Sequence, residues 1–238
     1  MIPTLEIFRA QIVLVGDFNP PIFSPEWLNA NGLLGDDDTT DAKEHESLVI
    51  SPTISRFETE WFSLQVIQQQ FVLASKGPVT PLIRDLAIGI FTLVDQTPVS
   101  GIGHNFWADY KMPSAQEWHK VGDILAPKKI WRSVNPDENQ SIGMSDLTIE
   151  IDPVKRCEVN TTGQKVRLTV AYSRQIQNGV SFFINNHYPI SPDKIMKTSS
   201  ARSGVDLISK RWETDLQESK RMFDGVLSEV AKVETENA

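Results

Sequence analysis

The chain has one cysteine, Cys157, in 238 residues, so it forms no internal disulfide, and no CxxC or Cys/His cluster has metal-ligand spacing. A reducing, cytoplasmic compartment is expected. Long apolar runs are also missing: no window approaches the roughly 20 apolar residues that cross a bilayer, and Ile12 to Val15 is too short for the core of a signal peptide. Membrane association is not expected. Basic residues are in deficit, 23 Lys and Arg against 31 Asp and Glu, for a net charge of −8. A field of that sign repels phosphate backbones and anionic lipid, which argues against general nucleic-acid binding and leaves room for a local basic patch. No phosphate loop and no G-x-S-x-G is present, and Gly101-Ile102-Gly103 is only a fragment of a dinucleotide fingerprint. No cofactor is expected.

The composition that remains, 40% apolar and 23% charged, is that of a folded chain long enough to bury a core. Its most informative stretch runs from Glu60 to Val94. Phe62, Leu64 and Val66 alternate with polar residues, as in a strand with one buried face, and Phe71 to Leu73 reads as the returning strand of a hairpin. After Lys76-Gly77-Pro78 the period becomes helical. Val79, Leu82, Ile83, Leu86, Ala87, Ile90, Phe91 and Val94 form one apolar stripe.

In chain order, the first strand ends at Gly16-Asp17, and Ser24-Pro25-Glu26-Trp27 starts a short helix that Gly32 closes. Gly35 to Glu46 carries six carboxylates and almost nothing apolar. It is expected to be a mobile charged loop rather than a calcium site, because the alternating ligands and fixed glycine of an EF-hand are missing. Leu48 to Phe57 reads as one strand interrupted at Ser51-Pro52. Val99 to Tyr110 alternates with Ile102, His104, Phe106, Ala108 and Tyr110 on one face and Asn105, Trp107 and Asp109 on the other, and its early glycines suggest a bulge or a close backbone approach. Ser114 to Glu117 is a capping box for a helix that ends at Ala126-Pro127. Three strands follow, around Ile149, Leu168 and Phe182, the last two paired across Asn178-Gly179. A long helix from about Val205 to Val233 carries Ile208, Trp212, Leu216, Phe223, Leu227 and Val230 as one stripe.

The series strand, helix, three strands, helix thus occurs twice, over 1–98 and 99–238. Both first helices cap with serine, place a tryptophan early and carry an apolar pair six residues later, Leu33-Leu34 and Ile124-Leu125. The expected fold class is α+β, a duplicated unit forming a mainly antiparallel sheet with helices packed on one face, as two half-repeats or one continuous domain. This order resembles the TATA-binding-protein-like arrangement, which implies two halves sharing one sheet. It implies no DNA function here, because the charge is wrong and no basic, wedge-bearing strand face is evident. At finer scale Val15 to Asn19, Leu125 to Lys128, Gly143 to Ile149 and Ile184 to Tyr188 look like segments of a family of uncharacterised bacterial proteins of similar length. With no established activity in that family, the resemblance assigns no site residue.

Two functional readings follow. The first is a non-enzymatic protein-binding or adaptor protein of a bacterial multi-protein system, acting through a protein partner or self-association. Its contact residues would be Trp107 and Asn105 on the polar strand face, and Leu227 and Val230, because the terminal stripe is longer than one half-sheet can cover. The second is a hydrolase with His104 or His187 as general base and Asp109 as its orienting group. His104 and Asp109 fall on opposite faces of a regular strand, so they would cooperate only across a bulge. Otherwise these polar residues at strand ends would simply hold turns by hydrogen bonds. Most of the six tryptophans are expected in the core. Cys157 beside Arg156 reads as an ordinary strand-edge residue, and Ser199 and Ser200 have no nucleophile motif around them.

Overall fold

A computed structural model describes residues 2–135, 137, 139–151, 164–190 and 201–236, with side chains described as far as Val233. Nine strands form one antiparallel sheet: β1 (Thr4–Gly16), β2 (Val49–Ile50), β3 (Ile54–Glu58), β4 (Phe62–Ile67), β5 (Gln70–Ser75), β6 (Val99–Lys111), β7 (Asp146–Ile151), β8 (Lys165–Tyr172) and β9 (Gly179–Pro189). Their order is β2-β3-β4-β5-β1-β6-β9-β8-β7, with β1 and β6 paired at the centre. In each half the first strand bonds to the last, and the others follow outward. The fold is α+β.

Both central strands have 13 residues, and successive side chains along each point to opposite faces of the sheet. Ala10, Ile12 and Leu14 lie opposite Phe106, His104 and Ile102, and all six are fully buried under the helices. Gln11 opposite Asn105, and Arg9 opposite Trp107, face the other way. Period two therefore decides which residues meet helices and which form the second face. Near the start of β6 the register with β1 shifts, Val15 facing Gly101 and Gly16 facing Val99, so Ser100 bulges where the glycines suggested it.

The helices are α1 (Pro25–Ala30), α2 (Asp36–Glu44), α3 (Pro81–Leu93), α4 (Ala115–Leu125), α5 (Lys128–Val134) and α6 (Ala201–Glu236). Ser24 and Ser114 cap α1 and α4, their hydroxyl oxygens accepting the amides of Trp27 and Glu117 at 3.2 Å. Helix α3 buries Ile83, Leu86, Ala87, Ile90 and Phe91. It starts at Pro81 rather than Val79 because the residue before a proline is pushed out of the helical region, and Thr80 is extended (φ −120, ψ 162). Leu82 on the expected stripe is exposed.

Several other expectations need correction. Gly35 to Glu46 is not a loop: Asp36, Asp37 and Asp38 occupy the first turn of α2, where carboxylates favour the positive end of the helix dipole. Asp38 also accepts a hydrogen bond from Trp61 Nε1 at 3.2 Å, Asp36 one from Asn29 at 2.9 Å, and Ala42 is fully buried. Residues 48–57 form two strands, since the Ser51 amide donates to the Ile54 carbonyl at 2.9 Å and closes a turn over Pro52. The connection between β8 and β9 has six residues, not a two-residue Asn-Gly turn, and Asn178 takes the left-handed conformation (φ 56) near its end. Helix α5 was not expected. Leu33-Leu34 follows α1 whereas Ile124-Leu125 lies inside α4, so the shared spacing does not place the two pairs alike.

Helix α6 spans 36 residues, about 54 Å at 1.5 Å per residue. It packs on α3 from the first half and on β6, β9 and α4 from the second. Ile208, Trp212, Leu216, Phe223, Leu227 and Val230 are all buried in the same core. The assignment of Leu227 and Val230 to an outward contact is therefore overturned, because α6 crosses both halves and the chain itself covers its whole stripe. Among the described residues no helix is long and apolar enough to cross a membrane.

Candidate functional site

The two faces of the central sheet carry different polar chemistry. On the helix-covered face His104 Nδ1 meets Asp215 Oδ2 at 2.7 Å, with neither side chain exposed. A carboxylate only accepts, so Nδ1 carries the proton. Asp215 is saturated: it also accepts from the Tyr188 hydroxyl at 2.7 Å and from Arg211, four residues earlier on α6, at 3.0 Å. Arg211 donates to Tyr188 Oη at 3.2 Å, and Gln164 donates to the same oxygen at 2.8 Å. Asn186 donates to the His104 carbonyl at 3.3 Å and to Ser219 Oγ at 3.4 Å, and Ser219 donates to the Asp215 carbonyl at 2.6 Å. Burial, then the Asp215 charge, pushes the Tyr188 hydroxyl above its ordinary range. His104 Nε2 is buried without a hydrogen-bond partner, and its ring sits edge to face with Trp212, centroids 5.3 Å apart.

This network fixes α6 to β6 and β9. Asp215, not Asp109, orients His104, and His187 stands on the opposite face of the sheet from His104. Burial lowers the His187 pKa first, and the nearby Lys165 charge adds to it. The histidines therefore form no common centre. Asp215 and Ser219 had a signal in the sequence, since both fall on the apolar stripe of α6, where a polar residue needs a buried partner.

On the opposite face, which no described helix covers, Asn105 donates to Gln11 Oε1 at 2.9 Å and accepts from Asn185 Nδ2. Trp107 packs on Phe183, ring centroids 4.7 Å apart. Beside Trp107 an open pocket of about 670 Å³ runs across β5, β1, β6, β9 and β8, lined by Arg9, Gln11, Lys76, Trp107, Asp109 and Arg174 among others. Asp109 is only 7% exposed, and among the described residues no hydrogen bond or ion pair reaches it. Arg9 and Arg174 are exposed and have no ion pair among the described residues, while Lys76 bonds Glu58 at 3.0 Å.

A second hollow, about 380 Å³, lies between α5 and the start of β7, lined by Trp131, Val134, Ile142 and Met144. Helix α5 buries none of its residues, and Ile130, Trp131 and Val134 are 64%, 53% and 74% exposed. Trp131, not Trp107, is the most exposed tryptophan of this chain. Neither hollow is lined by His104 or His187. Cys157, Arg156, Ser199 and Ser200 lie outside the described residues. Among the described residues no group of three or more His, Cys, Asp or Glu is placed to hold a metal. The chain matches no protein-family model and no curated protein.

Proposed function

We propose that the chain is a non-enzymatic protein-binding or adaptor protein, and that its partner docks on the apolar face of α5. The exposure of Ile130, Trp131 and Val134 on a seven-residue helix carries this reading. A helix so short is unstable by itself, and clustered exposed apolar side chains mark interaction surfaces in soluble proteins. The hollow beneath Trp131 continues into Asp146 at the start of β7, the last strand of the sheet order. A partner segment bonding to that edge would place an apolar side chain in the hollow. One cysteine in the whole sequence fits a reducing, cytoplasmic setting for such a complex.

The common strand order of the two halves supports descent from one duplicated unit, for which superposition of the two halves is the test. The hydrolase alternative has the His104–Asp215 pair in its favour and the burial of that pair against it, since a general base must reach its substrate. Substituting both His104 and His187 by alanine tests it directly.

Photo-crosslinking from residue 131 in source cells, with residue 107 as a comparison, tests the docking proposal. One defined adduct formed from 131 and lost in Ile130→Glu or Val134→Glu is expected. Adducts that form equally from 107, or that survive both substitutions, would assign the contact elsewhere.

A further inference from the structure

We infer that the pocket beside Trp107 is a binding site for a guanine nucleotide. It shares no lining residue with the α5 hollow and does not depend on the docking proposal. The starting point is Asp109, a residue only 7% exposed that lines an open pocket and has no hydrogen bond or ion pair among the described residues. Burying a charged group unpaired is costly, so such a carboxylate marks a place where a ligand supplies the donors.

The surroundings narrow the ligand. Arg9 and Arg174 line the same pocket with guanidinium groups that form no ion pair among the described residues, so a chain of net charge −8 presents locally positive charge. Guanidinium forks suit phosphate. Trp107, held by Phe183 and half-buried, offers an aromatic wall against which a base can stack. The volume, about 670 Å³, falls in the range of small-ligand pockets.

Simpler ligands leave part of this set unused. Inorganic phosphate would meet the arginines but bring nothing to Asp109, and an alkylammonium would do the reverse. A nucleotide meets both, with its ring on Trp107. Among the bases, guanine presents two adjacent donors, the ring N1–H and the exocyclic amino group, to the two oxygens of one carboxylate. Adenine and cytosine present one amino donor beside a ring-nitrogen acceptor, and that lone pair would face an Asp109 oxygen. The pocket therefore selects guanine.

Calorimetric titration of the full chain with GMP, AMP, guanosine and sodium phosphate, with tryptophan fluorescence in parallel, tests the inference. One GMP should bind per chain and quench the fluorescence, with AMP and guanosine each weaker by about tenfold or more. Asp109→Asn should remove the preference for GMP over AMP, since an amide offers one acceptor and one donor, and Arg9→Ala with Arg174→Ala should bring GMP down to the affinity of guanosine. Failure of GMP to saturate at millimolar concentration, or equal binding of GMP and AMP by the unaltered chain, would overturn the site even if a variant did not fold. Tight binding of mixed-sequence single-stranded RNA without a guanine preference would overturn it too.

Discussion

Asp215 on α6 accepts a hydrogen bond from His104 on β6 at 2.7 Å, across 111 residues of sequence and with neither side chain exposed. The pair joins the longest helix to a central strand, and Tyr188 and Arg211 complete the shell around the carboxylate.

Asp215→Ala leaves His104, Tyr188 and Arg211 without their shared acceptor. Breaking a buried charged network by removing one partner costs about 3–5 kcal/mol. Asp109→Asn breaks no hydrogen bond or ion pair among the described residues and removes an unpaired charge, so it should leave stability unchanged or raise it. Urea unfolding of both variants checks the contrast, and equal losses would remove Asp215 from its structural role.

Truncation after Phe223 removes Leu227 and Val230 from the core. The remaining chain should unfold at lower denaturant and with a broader transition. Trp212→Ala, which empties a fully buried indole site, should cost about 3–5 kcal/mol. A truncated chain as stable as the full one would show that the last turns of α6 contribute nothing internally.

Alkaline titration should find two of the three tyrosines silent until the fold is lost. Burial and then the hydrogen bond to Asp224 raise Tyr110, and burial and then Asp215 raise Tyr188. A group raised in the folded state contributes stability that is fully present below its unfolded pKa of about 10 and is lost as pH rises beyond it. Absorbance of tyrosinate, followed together with circular dichroism, should show both ionising with unfolding. Early ionisation of all three would contradict their burial.

On the acid side His187 acts in the opposite sense. Its folded pKa lies below the 6.5 of a free histidine, so the unfolded chain takes the proton first. Its contribution is complete above about pH 6.5 and declines as pH falls from there towards the folded value. His187→Gln should flatten the stability profile in that window. An unchanged profile would mean that other groups set it.

Calcium should give no saturable heat with the intact chain. The three aspartates at the start of α2 are spread around a helical turn, where they favour the helix dipole, and two of them already accept hydrogen bonds from Trp61 and Asn29. A stoichiometric micromolar site removed by Asp37→Asn would reverse this reading.

Local pattern alone determined most of the strands, four of the six helices and the inward faces. Alternation along Val99 to Lys111 separates His104 and Phe106 from Asn105 and Trp107 wherever the strand packs, because successive side chains point to opposite faces. Serine caps at Ser24 and Ser114 and the proline at Pro25 marked helix starts for equally local reasons. The helix at Asp36 escaped notice because its stability comes from charge at the helix end and one buried alanine, neither of which makes an apolar stripe. Helix α5 escaped because it buries nothing. Only the tertiary structure decided that Asp215 meets His104, that α6 is covered along its whole stripe, and that Asp109 lines one pocket with Arg9 and Arg174. Those relations depend on which strands become neighbours and where a distant helix lands, and sequence periodicity specifies a residue's face without specifying what stands opposite it.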